Sequence, residues 1–242
     1  MYKIIKNILL LFPKITGPLR AHYNHYFGEE EISFIKYEIN SLKKNYIFYD
    51  IGANYGVYTF YFGKKAKKIY VFEPIKECIE YIKSGYSKNN IIFVNKIASD
   101  SNTIESLKIP IINEKKIFGK ASIVNAFNSF ESRNIEATTI DSYINQENEG
   151  LNELLHIIKI DVEGYENSVL NGALNLLNKQ KVLLVMEIEK RHNEDYIETF
   201  KKLVDLNYDV FYLRNKKIKK IESLREIEKI MSYQNNFIFK NY

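Results

Sequence analysis

The segment 49–59 places an acidic residue, two glycines and an asparagine directly after a short apolar run, in the order Tyr-Asp-Ile-Gly-Ala-Asn-Tyr-Gly-Val-Tyr-Thr. A strand that leads into a glycine turn and a helix puts that turn at the strand's carboxyl end, where open α/β sheets bind ligands. A dinucleotide-binding turn would have glycines where this chain has Asn54 and Val57, which disfavours a nicotinamide cofactor. Asn54 can still adopt the left-handed backbone conformation that a glycine would supply. The ligand-binding residues expected in this turn are Asp50, Gly52, Asn54 and Gly56.

A second acidic residue follows the next strand-like run, Lys68–Phe72, at Glu73. Pro74 suits the first turn of a helix, so Glu73 should lie at the same edge of the sheet as the glycine turn. A carboxylate there can accept both hydroxyls of a ribose, as an acidic residue about 20 positions after the glycine turn does in nucleotide-binding folds. S-adenosylmethionine fits this pattern better than a phosphate-bearing cofactor, because its ribose, ammonium and sulfonium groups complement carboxylates. We therefore predict S-adenosylmethionine as cofactor, with S-adenosylhomocysteine as its product.

The segment 158–166 repeats this arrangement, because an apolar run again ends in an acidic turn with a glycine, Asp161-Val162-Glu163-Gly164. Asp161 and Glu163 should therefore face the same crevice. Carboxylates at the start of a helix also stabilise it by about 0.3 to 1 kcal/mol, and this alternative is sufficient to explain Glu163 and Glu166. Asp161 follows the strand immediately, so we expect it to bind the cofactor and to take part in catalysis.

The elements that must position these residues alternate between strand and helix along the chain. The predicted strands are Tyr46–Ile51, Lys68–Phe72, 91–98, 157–160, 182–187, 208–213 and 237–239. The predicted helices are 29–44, 75–86, 166–177 and 194–206. Such alternation indicates right-handed crossovers and an α/β fold with a mostly parallel sheet and helices on both faces. The stretch 100–140 lacks helical periodicity and is interpreted as inserted strands or loops.

Composition limits the class of protein. The chain has 242 residues, of which 45% are hydrophobic, and this suits one globular domain and excludes a disordered or fibrous chain. We predict a domain over residues 46–242, preceded by a helical extension over residues 1–45. The single cysteine, Cys78, excludes an intramolecular disulfide framework and indicates a reducing, cytoplasmic location. Its spacing from Ile79 and Ile82 predicts a place in the core.

The net charge and residues 1–12 indicate which kinds of partner the chain could bind. The net charge of +5 is too small and too dispersed for a nucleic-acid-binding protein. Residues 1–12 are apolar but interrupted by Lys3 and Lys6, and they are far shorter than the roughly 20 residues of a transmembrane segment. We interpret them as a short amphipathic helix that packs on the body or contacts a partner, with weak contact to a membrane surface as the alternative. The chain could also form a homo-oligomer.

Taken together, these motifs resemble those of FkbM-like methyltransferases. The resemblance rests on the segments 49–56, 72–74 and 159–166, with Asn171-Gly172-Ala173 and Met186-Glu187-Ile188 also in register, and covers about residues 46 to 190. It implies a Rossmann-like class I fold of about seven strands, S-adenosylmethionine as methyl donor, and O-methylation, often of sugars in surface polysaccharides or of natural products. It further implies that the glycine turn holds the methionine part, Glu73 the ribose, and Ala98 to Asp100 the adenine, with Asp161 near the donor methyl group.

A sugar hydroxyl is a poor nucleophile at neutral pH, so a general base could accelerate its methylation by typically 10²- to 10⁴-fold. His192 follows the strand that ends near Glu187 and is our candidate for this base, although a solvated loop histidine is an equally good interpretation. His22 and His25 precede the first predicted helix, where a lid could bring them over the crevice, or they pack among aromatic residues. His156 precedes an apolar strand and should be structural.

A divalent metal is a further alternative, because Asp161, Glu163 and Glu187 with His192 are acceptable ligands for Mg or Mn. Their spacing does not establish such a site, and we predict none.

The resulting hypothesis is a cytoplasmic S-adenosylmethionine-dependent O-methyltransferase. Its acceptor would be a sugar hydroxyl of a nucleotide-activated sugar or glycan precursor, with a heptose of a capsule or lipopolysaccharide pathway as the specific candidate. Lys190, Arg191 and Arg214 could contact its diphosphate. The alternatives are a methyltransferase of a natural product, a protein or a nucleic acid, and a non-catalytic binding module with the cofactor fold. An amino-directed nucleic-acid enzyme would show an Asn/Asp-Pro-Pro-Tyr turn where this chain has Asp161-Val162-Glu163-Gly164.

Overall fold

The computed structural model of the protein describes residues 12–27, 30–86, 88–124, 127–144, 154–193 and 195–242. The helices are α1 (Pro13–Phe27), α2 (Glu30–Leu42), α3 (Val57–Phe62), α4 (Lys76–Gly85), α5 (Ile140–Ile144), α6 (Glu166–Asn171), α7 (Leu174–Lys179), α8 (Tyr196–Asp205) and α9 (Ile227–Met231). The strands are β1 (Tyr46–Ile51), β2 (Lys68–Phe72), β3 (Ile91–Val94), β4 (Ile97–Ala98), β5 (Ile104–Ile112), β6 (Lys115–Lys116), β7 (Phe130–Thr138), β8 (Leu155–Ile160), β9 (Lys181–Glu187), β10 (Asp209–Arg214), β11 (Lys217–Lys220) and β12 (Asn236–Lys240).

The main sheet has the strand order β11-β10-β12-β9-β8-β1-β2-β3. Strand β1 lies in its interior, parallel to β2 on one side and to β8 on the other. All six residues of β1 and of β8 are buried, which explains their largely apolar character. Because the chain leaves β1 in one direction and returns to β8 on the other side, their carboxyl ends form a topological switch point, where such sheets bind ligands. The α/β fold predicted from the sequence is confirmed, but the main sheet is mixed, because β9, β12, β10 and β11 pair antiparallel with one another.

The expected number of seven strands is wrong, because β11 adds an eighth strand at the edge of the sheet. Strand β11 pairs antiparallel with β10 through a two-residue turn in which Asn215 and Lys216 both have positive φ values, 53° and 60°. This is the backbone of a type I′ hairpin turn. All four residues of β11 are exposed and three are lysines, so the strand lacks the apolar pattern by which a buried strand is recognised.

A second sheet, with the order β4-β7-β5-β6, is formed by the insertion. The predicted strand 91–98 is therefore divided, because its last two residues, Ile97 and Ala98, pair with β7 in the second sheet rather than continuing β3. Strands β5 and β7 form a long antiparallel hairpin, with Ile104 opposite Glu136 and Pro110 opposite Phe130. The insertion was expected to contain short strands or loops, and its main feature is this hairpin.

The predicted helix 166–177 is also divided, into α6 and α7. The break falls at Gly172, where a β-carbon would lie 1.8 Å from the carbonyl oxygen of Ser99. Only a glycine allows the two backbones to approach this closely. Gly172 therefore fixes the position of the chain immediately after β4.

Helices cover both faces of the main sheet, as predicted. On one face, Ile32 and Ile35 of α2 and Phe60 of α3 are buried against the sheet, and on the other face Val169 of α6 and Phe200 of α8 are buried. The division into residues 1–45 and 46–242 stays a prediction. Within the described ranges, no helix is both long and apolar enough to cross a bilayer. Residues 1–11 of the proposed amphipathic helix lie outside the described residues.

Candidate active site

A cleft of about 670 Å³, including its open mouth, lies at the carboxyl ends of β1, β2 and β8. Of the residues predicted to bind a cofactor, five line the cleft: Gly52, Asn54, Glu73, Ala98 and Asp161. The other two, Asp50 and Gly56, lie outside its lining.

The glycine turn has a left-handed backbone at three positions, with φ values of 77° at Gly52, 49° at Asn54 and 73° at Gly56. The expectation that Asn54 adopts this conformation is confirmed. A β-carbon at Gly52 would lie 1.9 Å from the carbonyl oxygen of Asp161. The turn after β1 therefore packs directly on the loop after β8, and this close approach brings the carboxylate of Asp161 to the cleft.

Glu73 is 4% exposed and its carboxylate accepts two backbone N–H groups. Oε2 accepts from Asn54 at 2.7 Å and Oε1 accepts from Ile75 at 2.8 Å. Burial raises the pKa of Glu73 to about 7, and the nearby carboxylates add to this rise while the two hydrogen bonds oppose it. Each carboxylate oxygen can accept more than one hydrogen bond, so the group retains acceptor capacity for hydroxyls in the cleft.

Asp50 holds the glycine turn in place through hydrogen bonds to Thr59 of α3. It is 2% exposed, and its Oδ2 accepts hydrogen bonds from the backbone N–H of Thr59 at 2.9 Å and from the hydroxyl of Thr59 at 2.5 Å. Burial raises the pKa of Asp50 to about 6. Gly56 precedes α3, where a β-carbon would lie 2.8 Å from the side chain of Ile82. Both residues therefore fix the backbone that forms the cleft.

The remaining wall of the cleft comes from residues that the sequence did not single out. Lys96, Ile97 and Ala98 line the end where the adenine was expected, whereas Ser99 and Asp100 of that expected segment do not. The insertion contributes Leu107, Phe118, Gly119, Ala121, Ser122 and Ile123. The hydroxyl of Ser122 donates to the carbonyl oxygen of Glu163 at 2.8 Å, which ties the insertion to the loop after β8. No periodicity in the sequence could have revealed this wall.

A smaller acidic pocket opens beside the cleft, and Asp161 and Glu163 line both spaces. The other residues of the acidic pocket are Gly164, Glu166, Glu187, Glu189 and His192. His192 therefore lies beside the cleft rather than in it. Asp161, whose side chain is 42% exposed, is at the boundary between the two spaces.

His192 and Glu163 form the closest contact in the acidic pocket, with His192 Nδ1 2.6 Å from Glu163 Oε2. Burial lowers the pKa of His192 from its usual value. Burial and the neighbouring carboxylates raise the pKa of Glu163 to about 7. The lowered pKa favours the uncharged imidazole at neutral pH.

Lys159 is a charged residue of the site that the sequence reasoning did not single out. It is 3% exposed, and its Nζ lies 3.9 Å from Asp161 Oδ2 and 3.4 Å from Asn236 Oδ1. Its charge opposes the effect of burial on Glu187, whose pKa is nonetheless raised to about 8. The signal in the sequence is a lysine within a strand that is otherwise buried and largely apolar, since such a lysine is rarely buried without a partner.

Several other candidates lie away from the cleft. His156 is buried with Nδ1 2.9 Å from the hydroxyl of Tyr49, so its structural role is confirmed. Cys78 is fully buried and burial raises the pKa of its thiol, in agreement with a place in the core. His22 is exposed on α1, and the side chain of His25 lies outside the described residues.

The three cations expected to contact a diphosphate have partners within the chain. Lys190 pairs with Glu228 at 2.8 Å, Arg191 pairs with Glu189, and Arg214 lies over the ring of Tyr233. Among the residues that the structure describes, no group of His, Cys, Asp and Glu side chains has the arrangement of a metal site.

The sequence model of the methyltransferase FkbM domain matches residues 50–236, which include the glycine turn, Glu73, Asp161 and His192. The chain belongs to the FkbM methyltransferase family. It has the Rossmann-like fold of S-adenosylmethionine-dependent methyltransferases, and S-adenosylmethionine is its methyl donor. The cleft fits this donor, because Glu73 offers acceptors for ribose hydroxyls and Asp161 offers a negative charge for a cationic ligand. No curated protein sequence matches the chain.

Several solved structures are similar to this FkbM methyltransferase. A putative methyltransferase from Streptococcus mutans in complex with SAH is 13% identical, with a TM-score of 0.42 over 81% of this chain and 89% of that chain. A putative RNA methyltransferase from Pyrococcus horikoshii is 11% identical, with a TM-score of 0.39 over 87% of this chain and 81% of that chain. Precorrin 8W decarboxylase from Methanobacterium thermoautotrophicum is 10% identical, with a TM-score of 0.40 over 82% of this chain and 83% of that chain.

Proposed function

We propose that this FkbM methyltransferase transfers the methyl group to the oxygen of a sugar hydroxyl. The acceptor is a nucleotide-activated sugar or glycan precursor, with a heptose of a capsule or lipopolysaccharide pathway as the specific candidate. The observation that carries the proposal is the contact of 2.6 Å between His192 and Glu163 beside the donor cleft. Such a pair supplies the base that methylation of a neutral hydroxyl needs.

The residues of the cleft would hold the donor in three parts. Glu73 accepts hydrogen bonds from the ribose hydroxyls, the turn around Gly52 and Asn54 holds the methionine part, and Lys96 to Ala98 border the adenine. When bound, S-adenosylmethionine supplies a methyl group on a positively charged sulfur, which oxygen nucleophiles can attack. Asp161, at the boundary of cleft and acidic pocket, faces the reacting groups.

His192 acts as the general base in this proposal. In the tautomer that carries its proton on Nδ1, beside the Glu163 carboxylate, Nε2 is the basic nitrogen and the carboxylate stabilises the imidazolium that forms, as in other histidine–carboxylate pairs. His192 accepts the proton of the acceptor hydroxyl while the hydroxyl oxygen takes the methyl group. The proton then passes to solvent. Alignment of donor and acceptor contributes a further part of the rate, on the order of 7 to 11 kcal/mol in favourable cases.

The acidic pocket favours a neutral group with many hydroxyls, such as the sugar part of the acceptor. Its carboxylates, among them Glu187 and Glu189, are hydrogen-bond acceptors that complement sugar hydroxyls. The same carboxylates repel a phosphate backbone, which disfavours a nucleic acid in this pocket. Lys120 lies on the insertion, close enough to lower the pKa of both Glu163 and His192. Because Lys190 is paired with Glu228 and Arg191 with Glu189, we assign the contact with the diphosphate of a nucleotide sugar to Lys120.

The proposal is tested by measuring release of S-adenosylhomocysteine with a panel of acceptors. The panel contains nucleotide-linked heptoses and hexoses, the corresponding free sugars, a short RNA and a peptide, and each product is analysed by mass spectrometry. We expect an O-methylated sugar from a nucleotide-linked acceptor. Methylation of the RNA or the peptide in place of every sugar would contradict the proposal. Donor binding without turnover on any acceptor would contradict it as well and favour a non-catalytic module.

A further inference from the structure

Helix α1 carries a stripe of large apolar side chains on its outer face. Phe12, directly before the helix, and Ile15, Leu19 and Tyr23 within it are 57%, 61%, 59% and 64% exposed. Their spacing of three, four and four residues places them along one side of the helix. Single exposed apolar residues are ordinary, but an aligned set of four this exposed indicates an interaction surface.

The opposite side of α1 fixes the direction of this stripe. The hydroxyl of Thr16 lies 2.8 Å from the hydroxyl of Tyr81, and both groups are buried. A β-carbon at Gly17 would lie 2.4 Å from the ring of Phe60, so the helix packs closely on α3. Ala21 is 1% exposed on the same side. Because its inner side is packed in this way, α1 keeps the apolar stripe on the surface of the folded protein.

The charge of this part of the chain decides which partner fits. Residues 1–27 contain four basic residues, Lys3, Lys6, Lys14 and Arg20, and no Asp or Glu. These residues thus supply four of the five net positive charges of the whole chain. Two copies of such a segment repel one another, which disfavours a second copy of this chain as the partner. An anionic surface attracts it, at about 1 kcal/mol per basic residue near a membrane.

We propose that α1 binds an anionic phospholipid membrane, with Phe12, Ile15, Leu19 and Tyr23 inserted among the headgroups. Helices that lie in the membrane interface combine an apolar face with basic residues in this way. Helix α1 also contacts the glycine turn that borders the cleft, because the guanidinium of Arg20 lies 5.0 Å from the ring centroid of Tyr55 in that turn. Binding through α1 would therefore hold the cleft in a fixed orientation to the membrane, where lipid-linked glycan precursors are accessible.

Flotation of the full chain with phospholipid vesicles tests this proposal. One set of vesicles contains phosphatidylcholine alone, and the other contains about one third phosphatidylglycerol, which is anionic. We expect binding to the anionic vesicles that weakens as salt is added, and at least a tenfold smaller bound fraction on the neutral vesicles. Equal binding to both sets, or binding to neither, would contradict the proposal.

Variants locate the surface. The double variant Ile15→Ser with Leu19→Ser should lose binding by at least tenfold, because two inserted side chains are removed from the lipid. The matched control, Ile104→Ser with Ile112→Ser, removes two exposed isoleucines from the second sheet and should bind like the wild type. Lys14→Ala should weaken binding about fivefold.

Thermal unfolding of each variant checks that the fold is kept, since all of these side chains are on the surface. Wild-type binding by the Ile15/Leu19 variant would overturn the assignment, as would a dimer in solution that only this variant loses.

Discussion

Lys159 Nζ lies 3.9 Å from Asp161 Oδ2, so a buried ammonium group stands directly beside the carboxylate that separates the donor cleft from the acidic pocket. The same charge lowers the pKa of Asp50 and of Glu187, against the effect of burial. Its other neighbours are Asn236, 3.4 Å away on β12, and the ring of Tyr58 on α3. Lys159 therefore offsets the negative charge of Asp50 on β1, of Asp161 after β8 and of Glu187 on β9.

We predict that Lys159→Met moves the acid limb of the pH profile of kcat/KM to higher pH, by about one unit. Without the ammonium group, Asp50 and Glu187 take up protons more readily, and the negative charge that favours a cationic donor is lost at higher pH. Lys159→Arg retains the charge and should keep the acid limb nearer to that of the wild type. Steady-state rates between about pH 6 and pH 9 measure the effect. An activity loss of equal size at every pH would assign Lys159 a packing role alone.

The second prediction concerns His192, the proposed base. His192→Ala should lower kcat by about 10²- to 10⁴-fold, because the acceptor hydroxyl then loses its proton to solvent. The affinity for S-adenosylhomocysteine should stay within about twofold, since His192 lies outside the donor cleft. His22→Ala removes an exposed histidine of α1 and serves as the matched control, with wild-type rates in solution. If His192→Ala retains full turnover, the base is another residue of the pocket, and Asp161 is the next candidate.

A third prediction follows from four carboxyl groups whose pKa values are raised by burial, to about 6 for Asp50, 7 for Glu73, 7 for Glu163 and 8 for Glu187. The folded state binds these protons more tightly than the unfolded state does. The stability that they contribute is therefore present at low pH and is lost as pH rises through the folded-state values.

The unliganded enzyme should accordingly unfold at a lower urea concentration at pH 8 than at about pH 5.5. Glu187→Gln removes the most strongly shifted of these four groups and should reduce this dependence on pH. Chemical denaturation monitored by circular dichroism provides the measurement. A wild-type midpoint that rises between these two pH values would show that the four carboxyl groups do not control stability there.

The sequence predicts the centre of the fold well because that centre is made of local patterns. Strands β1 and β2 have the predicted boundaries, since each is an apolar run that ends at a glycine turn or before a proline. The positions of Glu73 and Asp161 at the cleft follow from the rule that carboxyl ends of parallel strands meet at one edge.

The errors arise where tertiary contacts decide the structure. Gly172 divides a helix whose apolar periodicity is continuous, because the carbonyl oxygen of Ser99 lies against it. Strand β11 is held by its pairing with β10 and buries none of its residues. The insertion wall around Phe118 is held at the cleft by the second sheet and by the hydrogen bond from Ser122 to Glu163. Each of these features depends on residues distant in sequence, which no local pattern records.

The most direct test of the account is calorimetric titration of S-adenosylhomocysteine into the wild type and into Glu73→Gln. Glutamine keeps the size of the side chain but loses the negative charge that strengthens hydrogen bonds from ribose hydroxyls. Glu80→Gln, on the exposed side of α4, is the matched control, and thermal unfolding checks the fold of both variants. We predict that Glu73→Gln weakens binding at least tenfold while Glu80→Gln binds like the wild type. Unchanged affinity in a folded Glu73→Gln enzyme would contradict the placement of the donor in this cleft.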